Sequence, residues 1–359
     1  MKKKILISTG GSGGHVIPAT IFYEHLKNEF DVFLTTDKRG TKFLNFKKYN
    51  VKIINTPKLN NNLFLIPINL FSIFLLTIKS LFFLKEKKID MLLSTGGYMS
   101  LPLCLASKIL NVKIYLFEPN MVLGRANRIF LKFSKKIFCY SNEIEKFPKK
   151  FIDKIILIDP LLRKEFYSSK KLMNEDKIND QINLLIIGGS QGTKLFDFEL
   201  KKTISNLSKK YKLKVFQQTS YSNYEILKEF YDKNNISNQL FNYEENILQF
   251  ITKSNLCVTR AGASTLSELT FLNIPYLAIP LPSAKDNHQF YNALFYKNMD
   301  CCWLLKQEEI KSDELLNNLT NKVLNKEDYL TKKNNMKKFS YQNTWNKINQ
   351  KLINTINEN

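Results

Sequence analysis

Ile5-Leu6-Ile7-Ser8-Thr9-Gly10-Gly11-Ser12-Gly13-Gly14-His15 near the start of the chain and Leu184-Leu185-Ile186-Ile187-Gly188-Gly189-Ser190-Gln191-Gly192 at its middle share one grammar. In each, a short aliphatic run is followed at once by a glycine-rich turn. Such a run suits a strand covered on both faces. The glycines let backbone N–H groups approach a phosphate at the start of the next helix, where the helix dipole favours negative charge. Outward from these two stretches, short apolar runs alternate with helix-like segments. They are Ile5 to Ile7, Val32 to Leu34, Met91 to Leu93, Ile114 to Phe117, Ile137 to Tyr140 and Ile155 to Ile158, then Leu184 to Ile187, Lys214 to Phe216, Leu256 to Thr259 and Tyr276 to Ile279. Strand followed by helix, repeated, predicts a parallel α/β sheet.

A Lys-, Asn- and Asp-rich stretch from Ser168 to Asn183 interrupts the pattern and sets the boundary between Pro160 and Asn183. The prediction is therefore an α/β protein of two Rossmann-like, doubly wound domains, residues 1–160 and 161–338, facing each other across a cleft. Ligands of open α/β sheets bind at the carboxyl ends of strands, so both glycine turns are expected at that cleft. Phe339, Tyr341, Trp345, Ile348 and Leu352 fall at helical intervals and predict a closing helix over about 339–356 that packs back on the first domain.

The 359 residues are enough for two cores. Lys and Arg outnumber Asp and Glu by 54 to 32, a formal charge of +22 that favours anionic partners. No basic run interleaved with aromatics suggests a nucleic-acid groove, so none is expected as a partner. The five cysteines form no C-x-x-C pair and read as buried thiols rather than disulfides or a zinc site. Met1-Lys2-Lys3-Lys4 is basic, but only Ile5-Leu6-Ile7 follow before polar residues; this is no signal-peptide core, and the expected location is the cytoplasmic side. No D-x-D pair is present to hold Mg²⁺, so neither a metal nor a cofactor is expected, and the charge of a diphosphate would fall to helix dipoles, Ser190, Arg163 and Arg260.

The first loop meets G-x-G-x-x-G at Gly11 and Gly13, but Val16 takes the third glycine position, which weakens a dinucleotide reading; Asp37 at the end of the second strand keeps it open. Pro18 is expected in the following helix's first turn. His15 on that turn is placed where the dipole favours a neutral imidazole, suited to taking a proton from a sugar hydroxyl. Gly188 to Gly192 also satisfies G-x-S-x-G, the nucleophile elbow of Ser hydrolases, with Glu268 and His288 in the required order. Thr259 to Glu268 runs from a strand through small residues into a helix that offers hydroxyls and amides to an anion, with Ser264 or Thr265 as the expected cap of a capping box. Glu268 could accept from a ribose diol. Asp286-Asn287-His288-Gln289 is a polar loop beyond a strand end. Leu63 to Leu84 is long enough to span a bilayer. Its Asn69, Ser72, Thr77, Lys79 and Ser80 lie opposite Phe71, Phe74, Ile78 and Phe82, so it is read as an amphipathic helix. That helix either docks on an anionic membrane with Lys85, Lys87 and Lys88 or packs on the first sheet.

Taken in order, Gly10 to His15, Ser94-Thr95-Gly96-Gly97-Tyr98, Glu118-Pro119-Asn120, Gly188 to Gly192, Arg260 to Glu268 and His288-Gln289 resemble the MurG family. This family 28 group of the GT-B fold transfers N-acetylglucosamine from its UDP donor to lipid I to give lipid II for peptidoglycan. The resemblance covers nearly the whole chain. It implies inverting transfer to the C4 hydroxyl of the acceptor's N-acetylmuramic acid, with lipid I in the first domain and the donor mainly in the second. Carried over by position, His15 is the base, aided by Glu118, and Ser12, Gly13 and Gly14 line the site. Asn120 touches the donor sugar, Ser190 and Arg163 the diphosphate, Glu268 the ribose, and Gln289 the sugar hydroxyls. Ala263, Ser264, Thr265, Leu266 and Ser267 meet the nucleotide, and uracil pairs with backbone from Glu244 to Ile247. The resemblance further implies a peripheral place on the cytoplasmic face of the inner membrane and partners among cell-wall synthesis and division proteins. Pro119 stands where the family usually has Gln, and Asp159 to Arg163 replaces its Gly-Asn-Pro-Val-Arg. An epimerase or another glycosyltransferase acting on UDP-sugars, a nicotinamide-dependent oxidoreductase, a Ser190 hydrolase and a membrane adaptor are the rival classes.

Overall fold

The computed structural model describes residues 2–57, 66–170, 181–189, 194–242, 244, 246–311 and 325–358. The chain divides into unit 1, Met1–Leu161 with Thr344–Asn359, and unit 2, Leu162–Asn343. Unit 1 holds β1 (Lys4–Ser8), α1 (Gly13–Leu26), β2 (Asp31–Thr36), β3 (Val51–Ile53), α2 (Ile66–Lys87), β4 (Met91–Ser94) and α3 (Leu101–Ile109). It continues through β5 (Lys113–Glu118), α4 (Arg125–Phe130), β6 (Lys136–Cys139) and β7 (Ile155–Leu157). All strands are parallel, in the order β3-β2-β1-β4-β5-β6-β7.

Unit 2 repeats the plan with α5 (Lys164–Ser169), β8 (Gln181–Ile187), α6 (Lys194–Ser208), β9 (Lys212–Gln218), α7 (Tyr224–Lys233), β10 (Ser237–Phe241) and α8 (Leu248–Ile251). It closes with β11 (Leu256–Thr259), α9 (Ala263–Phe271), β12 (Tyr276–Ala278), α10 (His288–Asn298) and β13 (Trp303–Leu304), again all parallel, in the order β10-β9-β8-β11-β12-β13.

The central strands are apolar throughout because helices cover both faces of a parallel sheet, which is why their runs were readable. Ile5, Leu6, Ile7, Leu92 and Leu93 in unit 1, and Leu185, Ile186 and Val215 in unit 2, are fully buried. Each sheet reverses its winding once, between β1 and β4 in unit 1 and between β8 and β11 in unit 2. Both glycine turns leave strands that border these reversal points, where doubly wound sheets accept ligands.

Three expectations change. The closing helix over 339–356 is two pieces: Lys326–Ser340 ends in unit 2, where Phe339 packs on Phe295 and Tyr296, and Trp345–Glu358 lies in unit 1 against α1. There Trp345 stacks on His25 at 3.6 Å. Pro18 stands at the sixth residue of α1, past the first turn, so the Gly14 carbonyl has no i+4 N–H to accept. Helix α2 lays its smaller face inward on α3: Ile73, Thr77, Ser80, Phe83 and Leu84 are buried, while Phe71, Phe74 and Phe82 are 63, 58 and 70% exposed. It is therefore not a core helix turned apolar side in.

Candidate functional site

At unit 1's reversal point the loop Gly10–Ser12 is tied down by Asp37. The Asp37 carboxylate, 2% exposed, accepts from the N–H of Gly11 at 2.7 Å and of Gly40 at 3.0 Å through Oδ1, and from Arg39 Nε at 2.7 Å through Oδ2. Gly11 has φ +81°, and a Cβ on Gly10 would meet Asp37 Oδ1 at 2.6 Å, so this corner needs glycine. Ser12 is the N-cap of α1 by its backbone alone, with no side-chain bond, which leaves the amides of Gly13 and Gly14 at an uncapped helix start.

His15 follows on the first turn. Its Nδ1 lies 2.7 Å from the Thr95 carbonyl oxygen, which can only accept. The neutral ring therefore carries its proton on Nδ1 and its lone pair on Nε2. Thr95 is the residue just beyond β4, and its own N–H donates to Ser8 at the end of β1, so the bond spans the reversal point. Gly96 and Gly97, at φ +87° and +82°, bring bare backbone against the ring; a Cβ on either would sit 3.5 Å from an imidazole carbon.

Glu118, at the end of β5, is 3% exposed and has both oxygens engaged. Oε1 accepts from Asn120 Nδ2 at 2.9 Å and from its N–H at 3.3 Å; Oε2 accepts from Gly124 N–H at 2.7 Å and Asn127 Nδ2 at 3.0 Å. Burial pushes its pKa up, and these donors pull it back. Among the described residues Glu118 makes no bond to His15; it holds Asn120 directly, and it holds Asn127 beside Gly96, the glycine that borders the imidazole.

In unit 2, Gly188 donates to Gln218 Oε1 at 3.1 Å and Gly189 adopts φ +80°. Ser190, Gln191 and Gly192, where the diphosphate contact and the nucleophile elbow were expected, lie outside the described residues, as does Glu245 of the expected uracil segment. Glu244 accepts from the Asn246 N–H at 2.8 Å, turning that segment.

The expected capping box is absent. Gly262 is the N-cap of α9, and no side chain caps it, so Ser264 and Thr265 are first-turn residues beside open amides. Leu266 is fully buried, and the Ser267 hydroxyl is committed to the Ala263 carbonyl at 2.8 Å and to Tyr296 at 2.9 Å. Both side chains are therefore committed inside the fold, and the Leu266 N–H already donates to the Gly262 carbonyl at 3.0 Å. Glu268 is buried, which raises its pKa, while Arg163, 3.6 Å away and leaning on Phe166, opposes the rise. Gln289 Oε1 accepts from Ala261 at 3.3 Å and Leu281 at 3.0 Å, joining the loops after β11 and β12 and leaving its Nε2 as the group for a hydroxyl. Among the described residues no cluster of His, Cys, Asp and Glu could hold a metal.

Residues 5–139 match the glycosyltransferase family 28 N-terminal domain, and residues 183–348 the family's C-terminal domain. The chain belongs to glycosyltransferase family 28. A curated relative from Pelagibacter ubique (strain HTCC1062), a UDP-N-acetylglucosamine--N-acetylmuramyl-(pentapeptide) pyrophosphoryl-undecaprenol N-acetylglucosamine transferase, is 58% identical over 359 residues, all of both chains. One of the same name from Rickettsia felis is 33% identical over 332 residues, 90% of this chain and 91% of its own. Among solved structures, MurG of Acinetobacter baumannii has a TM-score of 0.77 at 23% identity over all of both chains. A UDP-GlcNAc 2-epimerase from Neisseria meningitidis has a TM-score of 0.68 at 14% identity, covering 99% of this chain and all of that one. The two structures share the GT-B fold with this chain.

The family 28 assignment agrees with how the site residues are spent. A hydrolase triad needs Glu268 on His288 Nδ1, but Glu268 faces Arg163 and His288 Nδ1 bonds the Lys285 carbonyl at 2.8 Å. A ribose-binding acid after the second strand is lacking too, since Asp37 is consumed by its own loop. From sequence, Asp37 stands only as the acid of a dinucleotide reading, Thr95 only within the Ser94 to Tyr98 motif, and Asn127 not at all, because a carbonyl or a buried acceptor matters only once the fold brings it to the loop. The glycine pair after β4 was the one available signal.

Proposed function

We propose that this chain moves N-acetylglucosamine from UDP-N-acetylglucosamine to the C4 hydroxyl of the muramyl sugar in undecaprenyl-pyrophosphoryl-N-acetylmuramyl-pentapeptide, with inversion. The observation that carries the reading is 58% identity, end to end, with a relative bearing that activity in its name. The site supports it. His15, its Nδ1 engaged by Thr95, presents Nε2 as the base that takes the hydroxyl proton during direct displacement. Glu118 serves by fixing Asn120 and Asn127. The open helix start at Gly262 and the glycine turn that begins at Gly188 and Gly189 receive the diphosphate, Glu268 the ribose and Gln289 a sugar hydroxyl. Ser12 to Gly14 line the acceptor side.

An acceptor with an undecaprenyl tail lies in a membrane, and on this reading the chain works at that surface as a peripheral protein. Helix α2 is long and apolar enough to cross a bilayer. Its exposed Phe71, Phe74 and Phe82, next to Lys85 and Lys88, suit shallow insertion at anionic headgroups instead.

The test is the product. The chain is incubated with UDP-N-acetylglucosamine labelled in the sugar and a short-chain analogue of the lipid acceptor. Label is expected in a lipid-linked disaccharide, with UDP released. A rearranged UDP-sugar formed without lipid would establish the epimerase reading in its place.

A further inference from the structure

Arg260 is the residue just beyond β11, and its N–H donates to the Ile187 carbonyl at the end of β8, so it stands on unit 2's reversal point. It is 5% exposed. Its guanidinium, among the described residues, reaches neutral partners alone: the carbonyls of Ile279 and Pro280 at 3.1 and 3.2 Å, Gln307 Oε1 at 2.6 Å, and the face of Phe196 on α6 at 4.9 Å. Among the described residues no carboxylate pairs with it, whereas Arg163 in the same unit has Glu268 and Arg39 in unit 1 has Asp37. Desolvation alone pulls its pKa down to about 10, so the group stays charged at neutral pH.

A buried cation without a counter-charge is destabilising by itself, and a neutral side chain of similar shape would bridge the same carbonyls more cheaply. Its position, at the carboxyl ends of β8, β11 and β12, is where a ligand sits in a doubly wound sheet. We propose that Arg260 is the standing positive charge for a nucleoside diphosphate: a positioning residue whose absent counter-charge the donor's two phosphates supply. It acts through its field and through the β11 and β12 loops it pins, not by contact with the reacting carbon. The inference deepens the donor reading and rests on it.

Two variants separate this role from a purely structural one. Arg260→Gln removes the charge while keeping a hydrogen-bonding head. Gln307→Glu supplies an acid at the guanidinium and leaves Arg260 in place. Calorimetric affinities for UDP and for neutral uridine are compared with thermal melting of each chain. Arg260→Gln is expected to weaken UDP roughly 10- to 100-fold and uridine less than about threefold. Gln307→Glu is expected to raise the melting temperature yet weaken UDP roughly tenfold with uridine unchanged. If Arg260→Gln does not fold, the Gln307→Glu ratio of UDP to uridine affinity decides alone. A Gln307→Glu chain that binds UDP as the parent does, or an Arg260→Gln chain that loses UDP and uridine equally, overturns the inference while leaving the donor reading intact. A parent chain that binds no UDP removes both.

Discussion

Thr95 and Arg260 occupy the same place in two copies of one plan, each the first residue past the strand across the reversal point, each donating its N–H to the end of the unit's opening strand. Unit 1 uses that place for a carbonyl that sets a histidine's tautomer. Unit 2 uses it for a buried cation. Near Thr95 the Asp37 carboxylate is paired with Arg39, while buried Glu118 is held by neutral donors. At Arg260 a buried cation is held by neutral acceptors instead. On the proposed function, one backbone frame serves proton acceptance in one unit and anion binding in the other, and the difference lies in a few side chains at strand ends.

The comparison can be sharpened through the C-terminal helix Trp345–Glu358, which belongs to unit 1. His25 on α1 is 2% exposed, stacked on Trp345 and 3.3 Å from Asn349 Oδ1, and burial lowers its pKa from 6.5 to about 4. The unfolded chain therefore binds this proton more readily. The histidine's contribution is complete above about pH 6.5 and is lost as pH falls towards 4, by about 3 kcal/mol. Denaturant unfolding between pH 7 and 4 is expected to show that loss in the parent and not in His25→Phe, with unit 1 the unit that weakens. Equal slopes in the two chains would remove His25 from the helix's docking.

Gly97→Ala tests the carbonyl side. At φ +82°, with Met99 Sδ 2.5 Å from the new Cβ, the substitution is expected to cost about 2 kcal/mol and to lower the turnover number about tenfold, leaving UDP affinity within twofold. Unchanged turnover would mean that the glycine pair does not position His15. Glu268→Gln tests the other side. It breaks the pair with Arg163 and is expected to raise the KM for the donor about tenfold at nearly constant turnover. A fall in turnover at constant KM would place Glu268 in the chemical step.

Central strands were legible because burial on both faces writes continuous apolar runs. The three strands missed, β3, β10 and β13, are all at sheet edges. Val51–Ile53 and Ser237–Phe241 are partly exposed, and Trp303–Leu304 is two residues long, so none carries such a run. The glycine loops and His15 could be singled out because the signal is local. The orientation of α2 could not, since Thr77 turns its hydroxyl onto the Ile73 carbonyl at 2.8 Å and so becomes compatible with burial. The capping box was misread for a similar reason: Gly262 caps through its backbone, and Ser267 finds Tyr296 from a distant helix.

On the proposed function the units divide the reaction, one holding the diphosphate and the other taking the proton. His15→Ala addresses both halves at once when sugar transfer and calorimetric UDP binding are measured on the same preparation. Transfer is expected to fall about 10²- to 10⁴-fold while the UDP dissociation constant stays within about twofold of the parent's. Transfer at the parental rate, or loss of UDP binding in step with transfer, would contradict it.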